Sequence, residues 1–415
     1  MVLRKKNRMF CENQVKYEGR AVNNMNQNNT ITNNQNGRSK YLSKIQASLI
    51  AGAAGDALGY AVKFLHYRDI RQIYGPDGIS KYELIGGKAR ISAGTQMSLF
   101  TANGLLFGET RMKLRKVGTG PHTYIPHAYQ DWYYTQDPSC HPPFIISWIV
   151  CEGDLHSHRA PGKTCLSSLR SGKFGAITRP LNNSCGCGGV IRTAPIGLFY
   201  DPDLYQEKAE NIIHYAAETA AVTHGHPLGY IPAGMMSIVV NHAVYTEDSL
   251  PEIIAKSLKE TELVFGSNQY WHEFESLINQ AIEMAPNKES DQENLSKLGQ
   301  GKKLGHEVLA IAIYAALRHE LDVDRALVTA VNHDGESDCA GSLCGSILGA
   351  YLGLNAISSE WTEPLELRET IMEIGRDLCA HCQTDVDGKL SDPDWMRKYV
   401  KINDLNEMSG ESNFI

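Results

Sequence analysis

The stretch Leu304-Gly-His-Glu-Val-Leu-Ala-Ile-Ala-Ile-Tyr-Ala-Ala-Leu-Arg318 sets the fold class. It places Leu304, Val308, Leu309, Ile311, Ala312, Ala315 and Ala316 three and four residues apart, the period of a helix with one apolar face. Residues 340–353, Ala-Gly-Ser-Leu-Cys-Gly-Ser-Ile-Leu-Gly-Ala-Tyr-Leu-Gly, are small and apolar and suit a tightly packed central helix. The same reading predicts helices over 95–108, 122–135, 206–222, 231–246, 250–264, 268–284, 322–331 and 365–381. Alternating Val/Ile/Thr runs are nearly absent, so the chain reads as all-α. At ~150 residues per domain the length suggests two or three units. No repeat stands out, however, and the expectation is one large helical domain over 41–400. Asp137–Pro143 and Ala285–Leu298 are its long linkers, and 401–415 forms a C-terminal tail.

Upstream of that domain the composition changes. Residues 21–40 contain eight Asn and two Gln, too little apolar area to offset the entropy of ordering them, so 1–40 is expected to be a disordered tail. Residues 1–45 hold nine basic and two acidic side chains, a charge of +7. The whole chain carries −7, which leaves −14 on the remainder. An acidic body is unhelpful to nucleic-acid binding, which draws on basic surface. The basic tail reads either as a solvated extension or as an interaction arm. No run of 18 apolar residues occurs and the first eight residues lead into no apolar segment, so neither a membrane span nor a secretory signal is expected. Ten cysteines are too few for a disulfide scaffold of this length and read as reduced thiols of a cytoplasmic protein.

Four glycine-bearing patches carry the chemistry. Gly52-Ala-Ala-Gly-Asp-Ala-Leu-Gly59 sets Asp56 in a small, apolar face, where it either caps backbone amides or needs a charged partner. Ile91-Ser-Ala-Gly-Thr-Gln-Met-Ser-Leu-Phe100 runs from loop to helix, with Ser92 or Thr95 as N-cap. In Cys185-Gly-Cys-Gly-Gly-Val-Ile-Arg192, Gly186, Gly188 and Gly189 allow close approach of a ligand to the backbone, with Arg192 as an anion partner. The last, Ala330-Val-Asn-His-Asp-Gly-Glu-Ser-Asp-Cys-Ala-Gly341, crowds Asp334, Glu336 and Asp338 at a helix start, an oxygen-rich set suited to Mg²⁺ or Ca²⁺ or simply to the helix dipole. Cys379-Ala-His-Cys382 has half the ligands of a zinc site. Thr223-His-Gly-His-Pro227 offers His224 as an acid/base group or as a turn residue.

In series these patches resemble the ADP-ribosylglycohydrolase family. The matching pieces are Gly-Asp-Ala-Leu-Gly at 55–59, Thr95-Gln-Met97, Gly-Cys-Gly-Gly-Val-Ile-Arg-Thr-Ala-Pro-Ile-Gly at 186–197, Thr223-His-Gly-His-Pro227, Leu309-Ala-Ile-Ala-Ile-Tyr314 and Asn332-His-Asp-Gly-Glu-Ser-Asp338. The resemblance implies an orthogonal all-α fold and a binuclear Mg²⁺ centre that cleaves the glycosidic bond at the ribose of ADP-ribosyl groups. It also implies ADP-ribose or an ADP-ribosylated protein as partner, with Cys185, Gly186, Gly188, Gly189, Arg192 and His224 as substrate contacts.

Several positions depart from that family pattern. Its first metal motif reads Thr/Ser-Asp-Asp-Thr, whereas Ser92 and Thr95 here enclose Ala93 and Gly94. A family Glu becomes Lys63 within Val62-Lys63-Phe64, the first Asp of the last motif is Glu336, and the Thr after Asp338 is Cys339. Gly301-Lys-Lys303 replaces an aromatic or apolar residue. Thr95, Glu336 and Asp338 are left to hold one Mg²⁺ at most, and Glu336 and Asp338 are the remaining candidates for catalysis. Lys63 is expected to substitute its charge for a metal by pairing with one of them. Three functions follow: a glycohydrolase with a reduced metal site, a binder of ADP-ribose or a nucleotide without turnover, or a structural protein like the lens crystallins that resemble this family.

Overall fold

The small-residue stretch after residue 336 forms the helix around which the rest is assembled. A computed structural model of the chain describes residues 31–116, 119–140, 142–299 and 304–400. The expected tail over 1–30, the Gly301–Lys303 departure and the 401–415 tail lie outside the described residues. Helices of eight residues or more are α1 (Ile31–Tyr60), α2 (Tyr67–Tyr74), α3 (Ala93–Arg115), α4 (Ile125–Gln136), α5 (Lys163–Arg170), α6 (Ala209–Ala221) and α7 (Pro227–Tyr245). They continue as α8 (Leu250–Phe265), α9 (Trp271–Met284), α10 (Asp291–Leu298), α11 (Gly305–Arg318), α12 (Val323–Val331), α13 (Ser337–Leu352) and α14 (Arg368–Ala380). Among the described residues the strands are Leu84–Ile85 and Lys88–Ala89, one short antiparallel pair.

Residues 337–350 of α13 are buried without exception, packed against α1, α7, α11 and α12. Glycine makes the closest of these contacts possible. A Cβ on Gly55 would lie 2.0 Å from the Gly341 carbonyl oxygen, and Cβ atoms on Gly345 and Gly349 would lie 2.1 and 2.2 Å from the Ala51 and Ala47 oxygens. The two backbones therefore touch, as close-packed interiors allow only between side chains of minimal volume. Further along, a Cβ on Gly59 would meet the Ser337 oxygen at 2.3 Å. The end of α1 is thereby fixed beside the start of α13, where the acidic cluster lies.

Three boundaries differ from the sequence reading. Helix α1 starts at Ile31, inside the segment assigned to the tail; no proline separates the Asn-rich run from Tyr41. The Ala285–Leu298 linker contains α10, begun by a capping box in which Ser290 and Glu293 satisfy each other's backbone amides. Helix α7 begins at Pro227 and runs through Pro232, which lies inside the helix and removes one backbone hydrogen bond there.

The Cys379–Cys382 segment docks on α3 and forms no metal group. Buried Glu109 accepts from the Cys382 amide at 3.0 Å and the Tyr205 hydroxyl at 2.8 Å, pairs with Lys113 at 2.8 Å, and lies 3.4 Å from His381 Nδ1. Burial opposes its charge, but His381 and Lys113 hold Glu109 down at about 2.

Candidate functional site

The turn after α1 delivers Lys63 to the N-terminus of α13. Its Nζ donates to Asp338 Oδ2 at 2.6 Å and pairs with Glu336 Oε2 at 2.9 Å. The Lys63 side chain is 12% exposed and that of Asp338 1%, so this is a buried ion cluster and not a surface bridge. Burial disfavours the ammonium, yet Asp338, and after it Cys339 and Glu336, hold Lys63 well above the ordinary lysine range. Asp334 is elsewhere: its Oδ1 accepts from the Tyr67 amide at 2.6 Å and forms one wall of a groove of about 950 Å³ along α2, with Arg68 and Arg71.

Asp56 lies beneath this cluster and caps α3 from outside. It accepts from the backbone amides of Ser92 at 2.9 Å and Thr95 at 3.3 Å, and from the Thr95 hydroxyl. Ser92 is the N-cap, accepting from the Gly94 amide at 3.0 Å. Burial, and then the Asp338 charge, push Asp56 up to about 7. Its second oxygen, like Asp338 Oδ1, is buried without a hydrogen-bond partner.

These donors do not fit a magnesium centre. The Thr95 hydroxyl is committed to Asp56, and the Lys63 ammonium is already ion-paired with both Glu336 and Asp338, two of the three groups expected to hold one ion. A side chain at Gly94 would require Ile191 to move, because a Cβ there would lie 2.2 Å from Ile191 Cδ1. Mg²⁺ asks for hard oxygens in near-octahedral array, and the space between the acids holds a cation of the chain's own.

The glycine loop stands against the same helix. Its Cys187–Gly189 turn is anchored by Gly305, whose amide donates to the Cys185 oxygen at 2.8 Å, and by a bridge between Gly186 and Leu304. His224 packs beneath it: a Cβ on Gly188 would come within 3.1 Å of its Cε1. The ring hydrogen-bonds Thr223 Oγ1 through Nδ1 at 2.8 Å, and burial followed by the Arg192 charge push it down to about 3, so it is neutral at pH 7. His226 caps α7, accepting from the Leu228 amide at 3.1 Å.

Arg192, expected as an anion partner, is fully buried and turned inward. Its guanidinium donates to Thr223 Oγ1 at 2.7 Å and to the Thr219 oxygen at 3.2 Å, and stacks 4.2 Å from the Tyr129 ring centroid. It holds the floor of the loop and presents no face to a ligand.

One juxtaposition escaped the sequence reading. The Cys187 thiol donates to Cys339 Sγ at 2.8 Å, joining the glycine loop to the first turn of α13. Cys187, Glu336 and Cys339, all buried, bring their ligand atoms within 4.8 Å of one another. The signal was available in part, since Cys339 stands at a departure from the family pattern and Cys187 sits inside the glycine loop. Their pairing across the fold was not.

The pattern that aligns these segments is that of the ADP-ribosylglycohydrolase family, whose profile matches residues 37–387. The chain belongs to that family. Among relatives of the ADP-ribosylglycohydrolases, an uncharacterized protein of Archaeoglobus fulgidus is 26% identical over 348 residues, covering 81% of this chain and 95% of its own. The human ADP-ribosylhydrolase ARH3 is 26% identical over 206 residues, covering 44% of this chain and 54% of its own. The chain thus spans about half the length of the named hydrolase. A solved "ADP-ribosylglycohydrolase-related protein complex" superposes with a TM-score of 0.54 at 19% identity over 83% of this chain and all of that one, which shows the fold. No helix of the described residues is long and apolar enough to cross a membrane.

Proposed function

We propose that this family member binds ADP-ribose, free or on a protein, and does not carry out magnesium-dependent hydrolysis. The observation that carries this reading is the Lys63 ammonium lodged between Glu336 and Asp338. Two carboxylates ion-paired to one fixed ammonium are poorly placed to hold a magnesium ion against ribose hydroxyls or to act as a free base toward water. The glycine loop is kept, with His224 and Arg192 beneath it as supports, and the half-buried backbone at Gly186 and Gly188 is the part we assign to a diphosphate. Lys63 and Glu336, the two less deeply buried members of the cluster, are the groups we assign to ribose hydroxyls.

A thermal-shift series with ADP-ribose, with and without Mg²⁺, tests this. Stabilisation independent of Mg²⁺ supports the binder. Stabilisation that requires Mg²⁺, or release of ADP-ribose from ADP-ribosyl-arginine or ADP-ribosyl-serine peptides, overturns it. No response to ADP-ribose at all favours a structural role.

A further inference from the structure

We infer that Cys187, Glu336 and Cys339 form a site for a thiophilic divalent cation, with Zn²⁺ as its natural occupant. The sulfurs come from segments 152 positions apart, and with a Glu336 oxygen they gather within 4.8 Å inside the protein. Two sulfurs and one carboxylate are a zinc donor set and a poor magnesium one. Three protein ligands leave the fourth tetrahedral position to water or to a ligand atom. Asp338 Oδ1, in the residue next to Cys339, is buried with no hydrogen-bond partner but is not one of the three gathered donor atoms.

The charges balance. Binding Zn²⁺ by two thiols releases two protons, so the two thiolates and Glu336 bring −3 against +2 and leave −1 at the centre. Lys63, already paired to Asp338 and Glu336, then lies beside an anionic complex and not beside a bare dication. The two thiolates restore two of the four units of negative charge that Ala93, Gly94 and Lys63 took away. Around zinc the sulfurs stand ~3.7 Å apart, as Zn–S bonds of ~2.3 Å in tetrahedral array require. The 2.8 Å pair therefore opens by ~1 Å on loading.

This inference does not rest on ADP-ribose binding, and its test reads the metal alone. The full-length protein, purified with reductant and freed of metal by a chelator, is titrated with Zn²⁺ against a chromogenic competitor, and separately with Co²⁺. One equivalent of Zn²⁺ is expected to bind. Co²⁺ should give a near-ultraviolet thiolate-to-cobalt charge-transfer absorption, a signature that needs no variant. Cys187→Ser and Cys339→Ser should each weaken Zn²⁺ by 100-fold or more and reduce that absorption by about half or more at saturating Co²⁺, and the double variant should abolish it. Glu336→Gln should weaken Zn²⁺ about tenfold and keep the absorption. Absence of the cobalt–thiolate absorption from the reduced wild-type protein overturns the inference, as does Zn²⁺ binding unchanged in the folded Cys187→Ser/Cys339→Ser double variant. Recovery of the two cysteines as a disulfide that no reductant converts to a zinc-binding pair overturns it too.

Discussion

Lys63 reaches Asp338 across 275 positions of sequence, Nζ to Oδ2 at 2.6 Å, and closes a buried cluster that contains Glu336 as well. Its place is fixed by the contact of Gly59 with Ser337, which leaves the end of α1 nowhere else to go.

Removing that cation strands two buried carboxylates. Lys63→Met should cost about 3–5 kcal/mol, the usual penalty for breaking a buried pair from one side. Urea denaturation at pH 7 measures it; a loss under about 1 kcal/mol would mean that water reaches the acids and that the cluster is in effect exposed.

Magnesium binding should be recoverable only if room is made for it. Lys63→Glu, Ala93→Asp and Gly94→Asp together should gain no affinity while Ile191 fills the Gly94 side. With Ile191→Ala added, calorimetry should detect Mg²⁺. Silence from the fourfold variant, correctly folded, would show that lost ligands are not what separates this chain from a metal-holding one.

Arg192→Lys keeps the charge but loses the planar fork and the stacking on Tyr129. It should lower stability by about 2–4 kcal/mol, as broken buried hydrogen-bond networks do. The rise in melting temperature produced by saturating ADP-ribose should stay as in the wild type. Loss of that increment with stability intact would return Arg192 to the role of anion ligand.

Gly345→Ala places a methyl group 2.1 Å from the Ala51 oxygen. Neither backbone can yield without moving a helix, so a cost of about 1–3 kcal/mol or more is expected from overpacking. Thermal denaturation would show it as a fall in Tm, and a neutral outcome would mean that α1 and α13 are less closely packed.

Glu109 supplies a pH dependence whose sign is fixed. Its folded pKa lies below the ordinary value, at about 2, so its contribution is complete above about 4.5 and disappears as the pH falls toward 2. The shift corresponds to about 3 kcal/mol. Stability measured from pH 5 to 2 should fall by that much more in the wild type than in Glu109→Gln, and parallel curves would assign the acid sensitivity to other groups.

The fold was legible because α11 and α13 carry their burial in local composition: beyond the first turn of each, the buried positions are small or apolar apart from Tyr314. Lys63 was legible as a replacement because its neighbours, Gly55-Asp-Ala-Leu-Gly59 before it and Val62 and Phe64 beside it, keep the local pattern. Arg192 was not. An arginine beside a glycine loop reads as a ligand contact until Tyr129 and Thr223, on α4 and just after α6, are known to receive it. The Cys187–Cys339 approach was hidden for the same reason, since neither segment has any local feature that names the other. The Ser290–Glu293 box was readable by rule; only the polarity around it masked α10.

The backbone contact of α1 with α13 has a consequence for how the protein is made. Each half of the Lys63 cluster leaves the ribosome separately, and at ~5–20 residues per second the 275 positions between them take roughly 15–55 s to synthesise. Throughout that interval α1 has a glycine-lined flank meant for a helix that does not yet exist. Helix pairs such as α6 with α7 can dock on emergence, but the cluster forms only by late, long-range closure. The small-residue flank of α1 is thus apolar surface that stays uncovered until α13 has been made.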